Sequence, residues 1–106
     1  MTYIPPDFEA RSIHVHKIVG EMIARDPSEL ERAKGILLRW IGDGTSASQP
    51  YFAAWLKTIE AGLDACVTQM LDTSEWGDVM RSCSPFECLL SADQRRDVLA
   101  KYKRAI

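Results

Sequence analysis

Apolar residues recur every three to four positions along most of the chain, and no segment alternates regularly between apolar and polar residues. The first spacing places apolar side chains on one face of an α-helix, whereas a half-buried β-strand requires strict alternation. In the second predicted helix, for example, one face carries Leu30, Ala33, Leu37, Trp40 and Ile41. The pattern therefore predicts an all-α fold, a single compact bundle of five to six short helices.

Residues that favour helix ends separate the periodic segments. Asp26-Pro27-Ser28-Glu29 is typical of a helix start, because a carboxylate accepts hydrogen bonds from free backbone N–H groups and proline suits the first helical turn. Ser91, with Gln94 three residues later, predicts a capping box that begins the last helix. Pro85 cannot continue a helix, so it predicts the end of the fifth one. The remaining predicted ends are N-terminal caps at Asp7, Ser48 and Thr73 or Ser74, and a C-terminal cap at Gly62.

Length and composition bound the class of protein. The chain has 106 residues, and we expect 1–106 to form one helical domain, with 1–7 as a loose leader. No apolar run approaches the ~20 residues that span a bilayer. The first residues have neither the basic flank nor the apolar core of a signal peptide. These observations predict a cytoplasmic protein with no membrane segment.

The cysteines and histidines do not form a recognisable chemical motif. An odd number of cysteines favours reduced, buried thiols over a disulfide framework. His14 and His16 are two residues apart, so on a helix they do not face each other, and we expect them to be exposed or half-buried. Cys66, Cys83 and Cys88 could pair with either histidine, but no local signature links them. We therefore predict no catalytic residue, no metal and no cofactor.

The net charge of −2 is unevenly distributed. Residues 57–93 contain Lys57 and Arg81 against a larger acidic set, namely Glu60, Asp64, Asp72, Glu75, Asp78, Glu87 and Asp93. Residues 94–106 contain one acidic residue, Asp97, against Arg95, Arg96, Lys101, Lys103 and Arg104. The two segments can pair within one molecule, or they can present surfaces of opposite charge to partners.

Aromatic residues provide the candidates for partner binding. Trp40, Trp55 and Trp76 lie on the predicted apolar faces of three different helices, which favours core packing. The alternative is that one of them anchors a partner. Phe86 and Leu89 are better candidates for exposure, because they lie in a loop and a small bundle cannot cover every apolar loop residue.

The loop that begins at Pro85 is the predicted partner surface. Proline fixes its own φ and restricts the residue before it, so Phe86 is presented at a low entropic cost. An aromatic anchor beside two arginines has the composition of an interface hot spot. The predicted surface comprises Pro85, Phe86, Leu89, Arg95 and Arg96. The alternative is that Phe86 closes the end of the bundle.

A DNA-binding role is the main alternative from another functional class. The last helix concentrates positive charge, and Arg96, Lys103 and Arg104 fall away from its apolar stripe. Against this interpretation, the sequence pI is about 5.6, whereas DNA-binding domains are typically strongly basic.

Two segments resemble a family of small, poorly characterised bacterial helical proteins. The segment from Arg81 to Ser91, followed by Gln94-Arg95-Arg96, is similar to a family ending with Ser-Pro-Phe, leucine, serine and basic residues. The segment Arg32 to Trp40 is similar to an Arg-Ala…Leu-x-Arg-Trp stretch, and Trp55-Leu56 matches a following tryptophan helix. The resemblance covers residues 14–96, while the leader and the loop at 42–49 depart from it.

The resemblance implies an antitoxin-like partner protein encoded beside a toxin gene, and it implies no catalytic residue. Together with the segregated charge, it predicts a non-enzymatic bacterial protein-binding module, the antitoxin or inhibitor partner of a toxin-like enzyme. A homodimer is the alternative assembly.

Overall fold

The computed structural model describes residues 6–102, and side chains over 9–101. Six α-helices cover most of this range: α1 (Pro6–Arg25), α2 (Ser28–Asp43), α3 (Gln49–Ala61), α4 (Leu63–Met70), α5 (Glu75–Ser82) and α6 (Ala92–Tyr102). A 3₁₀ turn at Phe86–Leu89 joins α5 to α6. No strand occurs among the described residues, so the predicted all-α fold is confirmed. None of the described helices is both long and apolar enough to cross a bilayer.

The capping residues explain where two of these helices begin. At α6, the Gln94 backbone N–H donates to Ser91 Oγ over 3.1 Å, and the Ser91 N–H donates to Gln94 Oε1 over 2.9 Å. These two bonds are the predicted capping box. At α5, Ser74 Oγ accepts from the backbone N–H of Gly77. Both caps provide acceptors for backbone N–H groups at the start of the helix, which have no acceptor within the helix itself.

Three other helix starts differ from the expectations. Helix α1 already includes Asp7, so this residue is not its cap. Pro27 precedes α2 instead of lying in its first turn. As expected, however, the Asp26 carboxylate accepts from a backbone N–H, that of Ser28, and it also accepts from the Ser28 hydroxyl. Ser48 precedes α3 without a capping bond from its side chain, and its hydroxyl oxygen accepts from Cys83 Sγ instead.

The core lies where α1 packs against α4, α6 and the 3₁₀ turn, and where α2 packs against α3. Its apolar side chains come from every described element: Val15, Val19, Ile23, Ala33, Leu37, Phe52, Trp55, Ile59, Cys66, Met70, Met80, Phe86, Leu89, Leu90 and Val98. Trp55 is fully buried, and its indole N–H donates to the Met80 carbonyl over 2.7 Å. The Phe86 ring meets the Trp55 ring edge-on, with 5.2 Å between centroids.

A buried arginine fixes the position of α5. Arg81 is 2% exposed, and its guanidinium donates to the carbonyl of Met70 over 3.2 Å, to the carbonyl of Asp72 and to the Asp78 carboxylate. These bonds join α5 to the end of α4. Gly77 packs directly against the backbone of Asp72, leaving no space for a Cβ atom there.

Candidate functional site

The structure corrects the predicted exposure of the Pro85 loop. Phe86 is 0% exposed, Leu89 is buried, and Pro85 is fully enclosed. The reason is the 3₁₀ turn, which directs the apolar side chains of the segment into the core against Trp55. The alternative interpretation, in which Phe86 closes the bundle, fits this burial. A partner could reach these three residues only after the turn had opened.

The two arginines of the predicted surface are exposed. Arg95 donates to the backbone carbonyl of Glu87 over 3.0 Å, so its side chain joins α6 to the 3₁₀ turn. Arg96 forms an exposed ion pair with Asp93 one turn earlier in α6. Lys103 and Arg104, the other residues of the DNA-binding alternative, lie outside the described residues.

Trp76 is the exposed tryptophan of the chain, contrary to the expectation of core packing. Its side chain is 48% exposed, and its ring lies against Tyr51 of α3 with 5.8 Å between centroids. We call Tyr51 and Trp76 the α5 aromatic surface. Trp55 is buried and Trp40 is half-buried, so the core interpretation holds for Trp55 and in part for Trp40.

The burial of Arg81 explains why Trp76 faces outward. The buried residues of α5 are Gly77, Met80 and Arg81, which share one helical face. The apolar spacing instead predicted that Trp76 lies on the apolar face of this helix. The two terminal nitrogens of the guanidinium donate to two backbone carbonyls and to the Asp78 carboxylate, which allows Arg81 to occupy a core position. A pattern based on hydrophobicity cannot show this.

Two acidic residues lie shortly before Trp76 in the sequence. Glu75 is exposed beside it, and Asp72 lies shortly before α5. The Ser74 backbone N–H donates to the Asp72 carboxylate over 2.9 Å, and this bond lowers the pKa of that carboxyl group. Asp72 therefore remains ionised at neutral pH, and this part of the surface keeps its negative charge.

A second candidate is a cavity of about 370 Å³ formed by the end of α2, the loop at 44–48, the start of α3 and the end of α5. We call it the α2–α5 cavity. Its lining comprises Arg39, Trp40, Asp43, Ser46, Ser48, Phe52, Ser82, Cys83 and Ser84. The Trp40 and Phe52 rings lie 5.3 Å apart and form its apolar wall. The volume falls at the lower end of the range for small-molecule sites.

A serine–histidine pair lies at the edge of this cavity. His16 is fully buried, contrary to expectation, and its Nδ1–H donates to the Ser12 carbonyl over 2.7 Å. Its Nε2 accepts from Ser84 Oγ over 2.8 Å. Burial lowers the pKa of His16 to about 4, so the imidazole is neutral at physiological pH.

This pair has the connectivity of an activated serine but differs from one in two respects. A base with a pKa near 4 has little driving force to take a serine proton at neutral pH. Ser84 is only 7% exposed, and its Oγ also accepts from the Phe86 N–H over 3.1 Å. We therefore interpret the pair as a structural link that joins the 3₁₀ turn to α1.

The cysteines occupy three different environments. Cys66 is buried and donates to the Thr58 carbonyl, and burial raises the pKa of its thiol to about 11. Cys83 is half-buried in the α2–α5 cavity, and Cys88 is exposed, so the expectation of buried thiols fails for Cys88. Over the described part of the chain, no group of three or more His, Cys, Asp or Glu side chains could hold a metal ion.

Comparison with known proteins gives no further assignment. No family model, curated protein or solved structure matches the chain. The resemblance to antitoxin-like bacterial proteins therefore stays a prediction, and any function must be argued from the residues and the geometry.

Proposed function

We propose that this chain is a non-enzymatic bacterial protein-binding module, the antitoxin or inhibitor partner of a toxin-like enzyme. The observation that carries the proposal is the α5 aromatic surface. Trp76 keeps about half of its surface exposed while Tyr51 supports one side of its ring. Tryptophan and tyrosine are enriched among the residues that dominate binding energy at protein interfaces.

The support beneath Trp76 matters as much as its exposure. An anchor that is already ordered loses little side-chain entropy on binding. The Tyr51 ring limits the positions open to Trp76, and the Ser74 cap and the Arg81 bonds fix the helix that carries it. The other exposed large apolar residues in the described part of the chain are Leu38, Leu71 and Leu99, and leucine is under-represented among hot-spot residues.

Charge indicates the chemistry of the partner. The segment 57–93 has an excess of acidic residues, and its two basic residues are Lys57 and Arg81. Arg81 is buried and paired with Asp78, so these two charges cancel each other, and the remaining acidic residues of the segment still outnumber Lys57. We therefore propose a partner that presents a basic surface with an apolar pocket for Trp76.

Protein binding is favoured over DNA binding by the partners of the basic residues. Within the described part of α6, Arg96 is paired with Asp93 and Arg95 is bonded to the Glu87 carbonyl, which leaves Lys101 as the exposed cation without such a contact. Phosphate binding would have to compete with both contacts. An acidic domain also repels the DNA backbone at moderate salt.

The test is co-expression with the product of the adjacent gene, followed by size-exclusion chromatography and calorimetry of the complex. We expect a complex whose affinity falls about thirtyfold or more in Trp76→Ala, as for a hot-spot residue. Leu38→Ala is the matched control, because Leu38 is exposed to the same degree, 47%, on α2. It should bind like the original chain.

Two outcomes would contradict this assignment. Equal affinities of Trp76→Ala and Leu38→Ala would remove the α5 aromatic surface from the interface, and no complex at all would remove the antitoxin role. A homodimer of the isolated chain that Trp76→Ala dissociates would assign the surface to self-association instead.

A further inference from the structure

The α2–α5 cavity contains an excess of hydrogen-bond donors that no described residue satisfies. Arg39 lines the cavity and forms no ion pair or hydrogen bond with the described residues. The indole N–H of Trp40 likewise donates to none of them, although its backbone carbonyl accepts from Gln49. The Ser48 hydroxyl oxygen accepts from Cys83 Sγ, which leaves its own hydrogen available. Such a set is complementary to a group that only accepts hydrogen bonds.

The other side chains of the lining are apolar or already form hydrogen bonds within the protein. Trp40 and Phe52 form a tilted aromatic pair with 5.3 Å between ring centroids. Ser82 donates to the Val79 carbonyl, and Ser84 donates to His16. A ligand would therefore meet free donors and a cation together with two aromatic rings, and also the Asp43 carboxylate.

We propose that the α2–α5 cavity binds a small carboxylate that carries an aromatic or aliphatic body. The carboxylate accepts from Arg39 and Ser48, since a guanidinium with free donors is the residue best suited to a planar anion. The body packs against Trp40 and Phe52. This binding is separate from the proposed partner surface and does not depend on the antitoxin role.

Asp43 provides an internal check on the sign of the ligand's charge. Its carboxylate also lines the cavity, where it accepts from the Thr45 hydroxyl over 2.5 Å. A negative ligand is repelled by this group, so Asp43→Asn should strengthen binding while Arg39→Gln weakens it. A cationic ligand would reverse both effects.

The experiment is a titration of ¹⁵N-labelled protein with benzoate and with hexanoate, following the indole N–H signal of Trp40, which Trp40→Phe identifies. We expect a saturable shift with at least one probe, with a Kd in the millimolar range. Arg39→Gln should raise the Kd about tenfold, and benzamide, the neutral analogue of benzoate, should bind about tenfold more weakly than benzoate. The matched control is Arg25→Gln, an exposed arginine of α1 outside the cavity, which should leave the Kd unchanged.

Each of three results would overturn the proposal. The first is the absence of a saturable shift with both carboxylates. The second is an equal affinity for benzoate and benzamide. The third is an unchanged Kd in Arg39→Gln while circular dichroism shows the variant to be folded. Weaker binding in Asp43→Asn would also contradict it, because it would show that the cavity selects a positive group.

Discussion

The guanidinium of Arg81 is enclosed by the protein, where two backbone carbonyls and one carboxylate accept its hydrogen bonds. Removing it leaves the Asp78 carboxylate without its cation and the Met70 and Asp72 carbonyls without a donor. We expect Arg81→Ala to lower the free energy of unfolding by about 3 kcal/mol, near the lower end for a buried pair because the Asp78 side chain is 18% exposed. Urea denaturation measures the difference.

The last helix contains a matched control for that change. Arg96 and Asp93 form the same arginine–aspartate pair at the same spacing, but both side chains are largely exposed. Exposed pairs contribute little, so Arg96→Ala should leave the urea midpoint almost unchanged. Equal losses in the two variants would show that the burial of Arg81 does not stabilise the fold.

The same residue shows where a prediction from sequence fails. Hydrophobic spacing predicted that Trp76 packs in the core, and it gave no sign that Arg81 is buried there instead. His16 was misjudged for the same reason, since its burial depends on the distant Ser84 hydroxyl and on the Ser12 carbonyl. The spacing of apolar residues cannot show which polar side chains find buried partners. Because the outward position of Trp76 depends on the burial of Arg81, the exposed aromatic surface could not be predicted from that spacing.

At the scale of helices, the first turn of α5 requires a glycine at position 77. A Cβ at Gly77 would overlap with the backbone carbonyl group of Asp72, which cannot move without breaking its bond to Arg81. We expect Gly77→Ala to destabilise the protein by about 3 kcal/mol, the upper end for overpacking, as measured by thermal unfolding.

Gly35 in the middle of α2 is the control for this position. A Cβ there would contact nothing within 4 Å, and alanine favours a helix over glycine. Gly35→Ala should therefore stabilise the protein by up to about 1 kcal/mol. A gain in both variants would mean that Gly77 does not set the packing of α5 on Asp72.

The sequence predicts the ends of the helices on either side of the 3₁₀ turn, but it does not predict the burial of the turn itself. Pro85 correctly predicts the end of α5, and Ser91 with Gln94 correctly predicts the start of α6. These are local signals, because each cap satisfies backbone groups within one turn. The burial of Phe86 between them depends on its contact with Trp55, which is distant in the sequence.

The contact between Phe86 and Trp55 allows a test of whether Phe86 is part of the core and not of a partner surface. Truncation of a fully buried aromatic residue leaves a cavity, so we expect Phe86→Ala to cost about 3–5 kcal/mol in unfolding free energy. Calorimetric unfolding measures it. An unchanged melting temperature would return Phe86 to the surface and restore the Pro85 loop as a partner site.

For the whole molecule, the stability of the fold depends on pH, because a buried histidine, His16, joins α1 to the segment that leads into the 3₁₀ turn. Two titrating groups act in opposite directions. Burial lowers the pKa of His16 from 6.5 to about 4, whereas burial raises the pKa of Glu87 above 4.5. Between pH 6.5 and about 5 the unfolded chain gains a proton on His16 that the folded chain excludes, so folding stability falls as the pH falls. As the pH falls through the raised pKa of Glu87, uptake of a proton by this group in the folded chain offsets part of the loss.

We expect the free energy of unfolding to fall by up to about 1.4 kcal/mol per pH unit over the upper window, because one proton separates the two states. Urea denaturation at a series of pH values measures this slope. His16→Gln removes the titrating group, so its stability should be lower at pH 7 but nearly flat between pH 6.5 and 5. Lys17→Gln changes the next residue of α1, which is exposed, and should retain the original slope. A flat profile in the original chain, or an unchanged slope in His16→Gln, would show that His16 is not held neutral by the fold.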